Sequence, residues 1–251
     1  MYRIILYLLL FPAIFYGQTA QETVMQKLKF ATIQFDSKEE SGFIIATPYT
    51  KNYVGFSGSP FWASDVWNSA DLLYNEKIYT LPELKYDCAN DLMIITSYTN
   101  EGVKLLNLIP SFYPEIFINR KIKNNSESET QIRREHFIYY FATNEDKENG
   151  TPTGYYHYLI EKPVSLLCKY SSNIVDRDGQ KAFIEEKKFY FMNDKKVFLI
   201  RRVDNFTEVF PQWKDKINTF AEENQIKTNL SFEIGDIKKL IEFINTLSSQ
   251  K

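Results

Sequence analysis

Residues 182–200 read AFIEEKKFYFMNDKKVFLI. Ala182 to Met192 and Lys196 to Ile200 are strand-like, and Asn193-Asp194 between them is turn chemistry, so the stretch reads as a β-hairpin. The same unit recurs towards the N-terminus. Asp178-Gly179 is a strong hairpin dipeptide. Tyr155 to Ile160 and Val164 to Tyr170 are separated at Pro163, and His136 to Thr143 is dense in aromatics. Further back, Val103 to Leu108 follows Gly102, and Ile116 to Ile118 follows Pro114. Leu84 to Tyr86 and Leu92 to Thr99 flank Asp87 to Asp91, and Asp71 to Tyr74 and Lys77 to Leu81 flank Asn75-Glu76. Phe43 to Thr47 is a strand stopped by Pro48. Short strands at this spacing predict one antiparallel sheet system, a sandwich or an open barrel, rather than βαβ units.

Two polar segments interrupt the pattern. Lys121 to Glu135 and Asn144 to Gly154 are both read as solvated loops. The last fifty residues change period. Val203 to Phe210 suits a short helix, and Pro211 suits the first turn of the next. Trp213, Ile217, Phe220 and Ala221 then share a face. Ser231 is placed to cap a final helix with the stripe Ile234, Ile237, Leu240, Ile241, Ile244 and Leu247. That stripe is expected to pack on the protein's own sheet. The fold class is therefore α+β and β-dominated, with C-terminal amphipathic helices on the sheet.

At the other end, Met1-Tyr2-Arg3, an apolar run from Ile4 to Tyr16, and Gly17-Gln18-Thr19-Ala20 follow the plan of a secretory signal peptide. Cleavage is expected before Gln18 or after Ala20. The organisation read from sequence is a signal peptide over 1–17, a lead-in over 18–42, a β-rich region over 43–201 and a helical region over 202–251. The expected location is the periplasm, the outer membrane's surface or the exterior. No later stretch is long and apolar enough for a membrane-spanning helix.

Hydrophobic content of 44% and charged content of 25% are ordinary globular values. A net charge of −2 offers no basic footprint for nucleic acid. Cys88 and Cys168 could pair after export, or each could be buried as a free thiol. Two cysteines and two scattered histidines have no metal-ligand spacing, so no metal or cofactor is expected.

No catalytic signature is present. Gly58-Ser59-Pro60 lacks the second glycine of a nucleophile elbow, and there is no H-E-x-x-H, P-loop or G-x-G-x-x-G. Asp176 to Gly179 is a turn rather than a calcium loop, because the closing glutamate is missing. His136 and His157 are candidate general bases with no evident partner in sequence. The remaining candidate surface is aromatic. Phe56, Phe61, Trp62 and Trp67 cluster around the Gly-Ser-Pro turn, either as a contact patch for protein or glycan or as a plug closing the core.

The order of these features resembles an uncharacterised family of exported Bacteroidota proteins. The likeness is carried by Gly58-Ser59-Pro60-Phe61, Trp67, the hairpin from Asp71 to Thr80, Leu84-Lys85-Tyr86-Asp87 before Asn90-Asp91-Leu92, and the tail from Phe206 to Leu247. The chain departs from the pattern at Ala70 and Lys77, where glycine is usual, and at Cys88, where an aromatic or aliphatic residue is. The resemblance implies a β-rich envelope protein and transfers no functional residue. The expected role is a non-enzymatic binding or structural component with an envelope protein or glycan as partner. The rival is an envelope-polymer hydrolase built from distant carboxylates or histidines.

Overall fold

A computed structural model of the chain describes residues 31–36, 41–63, 65–74, 77–99, 102–123, 130–226 and 233–249. The expected signal peptide, the turn residues Asn75-Glu76 and the proposed cap at Ser231 lie outside them. The strands are β1 (Ala31–Asp36), β2 (Ser41–Pro48), β3 (Asn68–Tyr74), β4 (Lys77–Asp87), β5 (Leu92–Thr99) and β6 (Gly102–Leu108). They continue with β7 (Glu115–Lys123), β8 (Thr130–Tyr140), β9 (Gly154–Ile160), β10 (Ser165–Arg177), β11 (Gln180–Asn193) and β12 (Lys196–Leu199). The helices are α1 (Asn144–Glu148), α2 (Asp204–Val209), α3 (Lys214–Glu223) and α4 (Ile234–Ser248), with a 3₁₀ turn at Pro211–Trp213.

All twelve strands form one sheet in the order β1-β2-β6-β5-β4-β3-β7-β8-β9-β10-β11-β12. Every adjacent pair is antiparallel. The fold is thus β-dominated α+β, and the sheet is an open roll rather than a two-sheet sandwich. Twist makes so wide a sheet curl. The curl brings the end of β4 to β10, where the Ser172 amide donates to the Cys88 carbonyl at 3.2 Å. The segment after β2 bridges the remaining gap. Trp62 N bonds Tyr86 O on the β4 side, and Ser57 N bonds Lys181 O on the β11 side. A loop therefore closes the ring that strand pairing leaves open.

The side chains inside this ring form the main core, including Leu72, Leu84, Tyr86, Met93, Ile116, Ile118, Phe137 and Tyr155. The C-terminal helices pack against Val164, Leu166 and Phe191 through Phe206, Phe210, Ile217, Ile237, Leu240, Ile241 and Ile244. Leu159 and Phe189 touch both clusters, so the two cores are continuous. The predicted stripe of α4 is buried from Ile237 to Leu247, whereas Ile234, read as its first member, is exposed. The first residue of α4 follows Glu233, which makes no side-chain cap.

Several sequence readings need correction. Lys121 to Glu135 is not a loop: apart from 124–129 it forms the ends of β7 and β8, paired from Lys123↔Thr130 to Ile118↔Glu135. Its polarity misleads because the backbone ladder extends beyond the buried core. Asn144 to Gly154 begins with the helix α1, nucleated by a capping box in which Thr143 and Asp146 bond each other's backbone N–H. The lead-in contains β1 and the first residues of β2. The last hairpin turns on Asp194 and Lys195, both at positive φ, one residue later than read.

The Cys88–Cys168 bond left open by sequence is not made, and both are buried free thiols. Cys88 is tied to Ser172, four residues along β10 from Cys168. That places the two roughly 13 Å apart at about 3.3 Å per residue, outside disulfide reach. Burial pushes the Cys168 thiol up to about 12, and Cys88 further.

Candidate functional site

Strand alternation puts Arg133, Glu135, Phe137 and Tyr139 of β8 on the inward face. The row passes from charged to aromatic as it enters the ring. The neighbouring strands do the same: β7 contributes Ile116, Ile118 and then Arg120, and β11 contributes Phe189 and then Lys187 and Glu185. Where the charged ends meet the start of α4, a cavity of about 340 Å³ opens. Among its lining residues are Trp62, Arg120, Arg133, Glu135, His157, Tyr170, Glu185, Lys187 and Lys238.

Glu135 is the centre of this cluster and is 4% exposed. Its Oε1 accepts from Arg120 Nη2 and forms an ion pair with Arg133 Nε, each at 3.2 Å. Its Oε2 faces His157 Nε2 at 3.0 Å. The other ring nitrogen, Nδ1, lies 3.1 Å from the Tyr170 hydroxyl. A proton on Nε2 makes the ring a donor to Glu135. Burial pushes the Glu135 carboxyl up, but the His157 hydrogen bond and charge with the Arg133 and Arg120 charges outweigh it, and the net shift is down. Burial raises the Tyr170 phenol, which keeps its proton.

Aromatic packing fixes these groups. The His157 ring stacks on Phe137 at 4.6 Å, and Trp62 meets both edge-on at 5.5 and 5.0 Å. Arg120 lies over the Trp62 ring at 5.1 Å. Trp62 is held by the loop's anchor at the end of β4. There the buried Asp87 accepts from Tyr49 Oη at 2.9 Å, Tyr53 Oη at 2.7 Å, Asn90 Nδ2 at 3.0 Å, and the amides of Ala89 and Asn90. Burial and the Asp87 charge raise both phenols, so they stay protonated donors. A second anchor is Asp91, at φ 58°. It accepts from Tyr86 Oη at 2.6 Å, Lys169 Nζ at 2.8 Å and the Tyr155 amide. Gly154 leaves room for this: a Cβ there would collide with the Asp91 carboxylate and the Lys169 ammonium.

Of the four aromatics singled out by sequence, Trp62 is turned inward, whereas Phe56 and Phe61 meet through Tyr53, and Phe61 and Trp67 share the Lys85 ammonium. Trp62 is buried in the cavity wall. Phe56 stacks on Phe183 at 5.3 Å, and Phe61 meets Tyr53 edge-on at 6.3 Å. Trp67 is half-buried, with Lys85 Nζ 4.4 Å above its ring. Of the two histidines, only His157 reaches the cavity. His136 sits on the other face between Phe117 and Tyr158, at 4.3 and 4.7 Å. Sequence reasoning missed Arg120, Arg133, Glu135, Tyr170, Lys187 and Lys238. The available signal was the i, i+2 run Arg133, Glu135, Phe137, legible only once Lys121 to Glu135 is read as strand.

Comparison of the chain with protein-family models, with curated proteins and with solved structures finds no significant match.

Proposed function

We propose that this chain is an exported, non-enzymatic binding component of the cell envelope, and that the cavity over Glu135 and His157 holds its partner. One observation carries the reading. Each polar side-chain atom of the buried acid–base pair lining the cavity has a partner in its own protein. Both oxygens of Glu135 and both ring nitrogens of His157 face protein partners at 3.0 to 3.2 Å. A general acid needs a carboxyl held protonated near neutral pH. Glu135 is shifted the other way. The arrangement suits a rigid, polar recognition surface built on strands.

A hydrolase is the second reading, because Glu135, Glu185 and His157 line one cavity. The test is photo-crosslinking in the native host, with a photoreactive residue in place of Lys238 at the cavity mouth and, as control, in place of the exposed Lys51. A reproducible envelope adduct from position 238 alone is the expected result. Loss of that difference counts against the cavity. Glycan hydrolysis by the purified chain that disappears in Glu135→Gln would replace the binding reading with the enzymatic one.

A further inference from the structure

We infer that the ligand group entering this cavity is an oxyanion, held by Arg120, Arg133, Lys187 and Lys238; the inference rests on the binding reading above. Four fixed cations line the cavity against two carboxylates, Glu135 and Glu185. This local excess occurs in a chain whose net charge is −2. The cations come from β7, β8, β11 and α4, so they surround the opening rather than lie along one strand.

Their donors are only partly used. Glu135 engages Arg133 through Nε, and neither terminal nitrogen of that guanidinium has an acceptor among the described residues. Arg120 spends Nη2 on Glu135, and its Nε is buried with no acceptor among the described residues. A buried N–H without a partner is rare in folded proteins and calls for an explanation. An incoming oxyanion supplies the missing acceptor. Lys187 is paired with Glu185 at 2.9 Å, whereas Lys238 has no ion-pair partner among the described residues. Guanidinium pairs match the planar and tetrahedral oxyanions of carboxylate and phosphate. The cavity lies at the small end of ligand pockets, so it admits one sugar-sized unit rather than a polymer segment.

The test is titration of the purified chain with D-glucuronate, inorganic phosphate and D-glucose, read by the Arg Nε–H resonances in ¹⁵N–¹H NMR spectra. The Arg120 Nε–H signal is expected to shift saturably with an anion and not with glucose. Glucuronate binding more tightly assigns a carboxylate, and phosphate binding more tightly assigns a phosphoryl group. Lys238→Ala, a change at an unpaired surface residue, is expected to weaken that binding several-fold without unfolding the chain. Glucose shifting the signal as strongly as glucuronate overturns the oxyanion and leaves the binding reading standing. No saturable shift with any probe overturns the inference, and crosslinking from position 238 then decides the binding reading separately.

Discussion

Replacing Asp87 with alanine tests whether the β4 anchor holds the loop that closes the ring. The fully buried carboxylate accepts from two backbone amides and two phenols, besides Asn90 Nδ2. Taking about 1 kcal/mol for each of the first four, a conservative value for a charged acceptor, gives a loss of about 4 kcal/mol. That is a large share of the roughly 5–15 kcal/mol available to a domain. It corresponds to a melting point lower by roughly 8–16 °C at this chain length. Asp87→Asn keeps an acceptor for the amides but turns an NH₂ towards the tyrosines, so it should fall between. Tyr53→Phe should cost about 1 kcal/mol alone and much less in the Asp87→Ala background, because the two changes delete one interaction. Urea unfolding of the four variants decides it. A loss below about 1 kcal/mol for Asp87→Ala, or strict additivity with Tyr53→Phe, would refute the anchor.

Three further outcomes follow from the same geometry. Gly154→Ala should cost about 3 kcal/mol, combining a backbone at φ +146° that side chains rarely adopt with displacement of the Asp91–Lys169 pair; a denaturation midpoint equal to wild type would contradict it. Glu135 is lowered in the fold, so its contribution is complete above its ordinary value of 4.5 and fades as pH falls through the lower folded value. Glu135→Gln should therefore show a shallower acid-side loss of stability than wild type, and superimposable pH–stability curves would sink that assignment. Arg133→Leu should leave stability within about 1 kcal/mol of wild type, since Arg120 and Arg133 are a cross-strand pair of like charge, yet reduce anion binding in the NMR titration; destabilisation well beyond that would make Arg133 structural.

The parts of the fold legible in sequence are those where local chemistry and tertiary structure agree. Asp178-Gly179 is a turn because both residues take positive φ, at 55° and 81°. From Ile237 to Leu247 the α4 stripe is buried because its period matches the packed face of the helix. Lys121 to Glu135 fails as a reading for the opposite reason. Composition counts polar residues, whereas a strand is set by its pairing, and here pairing runs on past the core. The site is less legible still. Trp62 stands out as an aromatic on a loop, but what gives it meaning is Arg120, Phe137 and His157, brought to it by the curl of the sheet. No periodicity in the chain encodes that distance.

Burying Glu135 against two arginines is not the cheapest way to finish the ring. Apolar side chains at Arg120, Arg133 and Glu135 would extend the core and avoid both the desolvation of a carboxylate and the facing of two cations. The observed choice makes physical sense as a preset balance. Glu135 neutralises enough charge for the arginines to stand opposite each other in the free protein, and His157, stacked on Phe137, fixes the orientation of its carboxylate. What remains is a set of unspent N–H donors lining a cavity. Arg120 is held against Glu135 and Trp62 before any ligand arrives, so it has little conformational entropy left to lose on binding. The loop anchored by Asp87 supplies the last wall through Trp62. The element that closes the ring thus also completes the cavity, which ties the stability of the one to the affinity of the other.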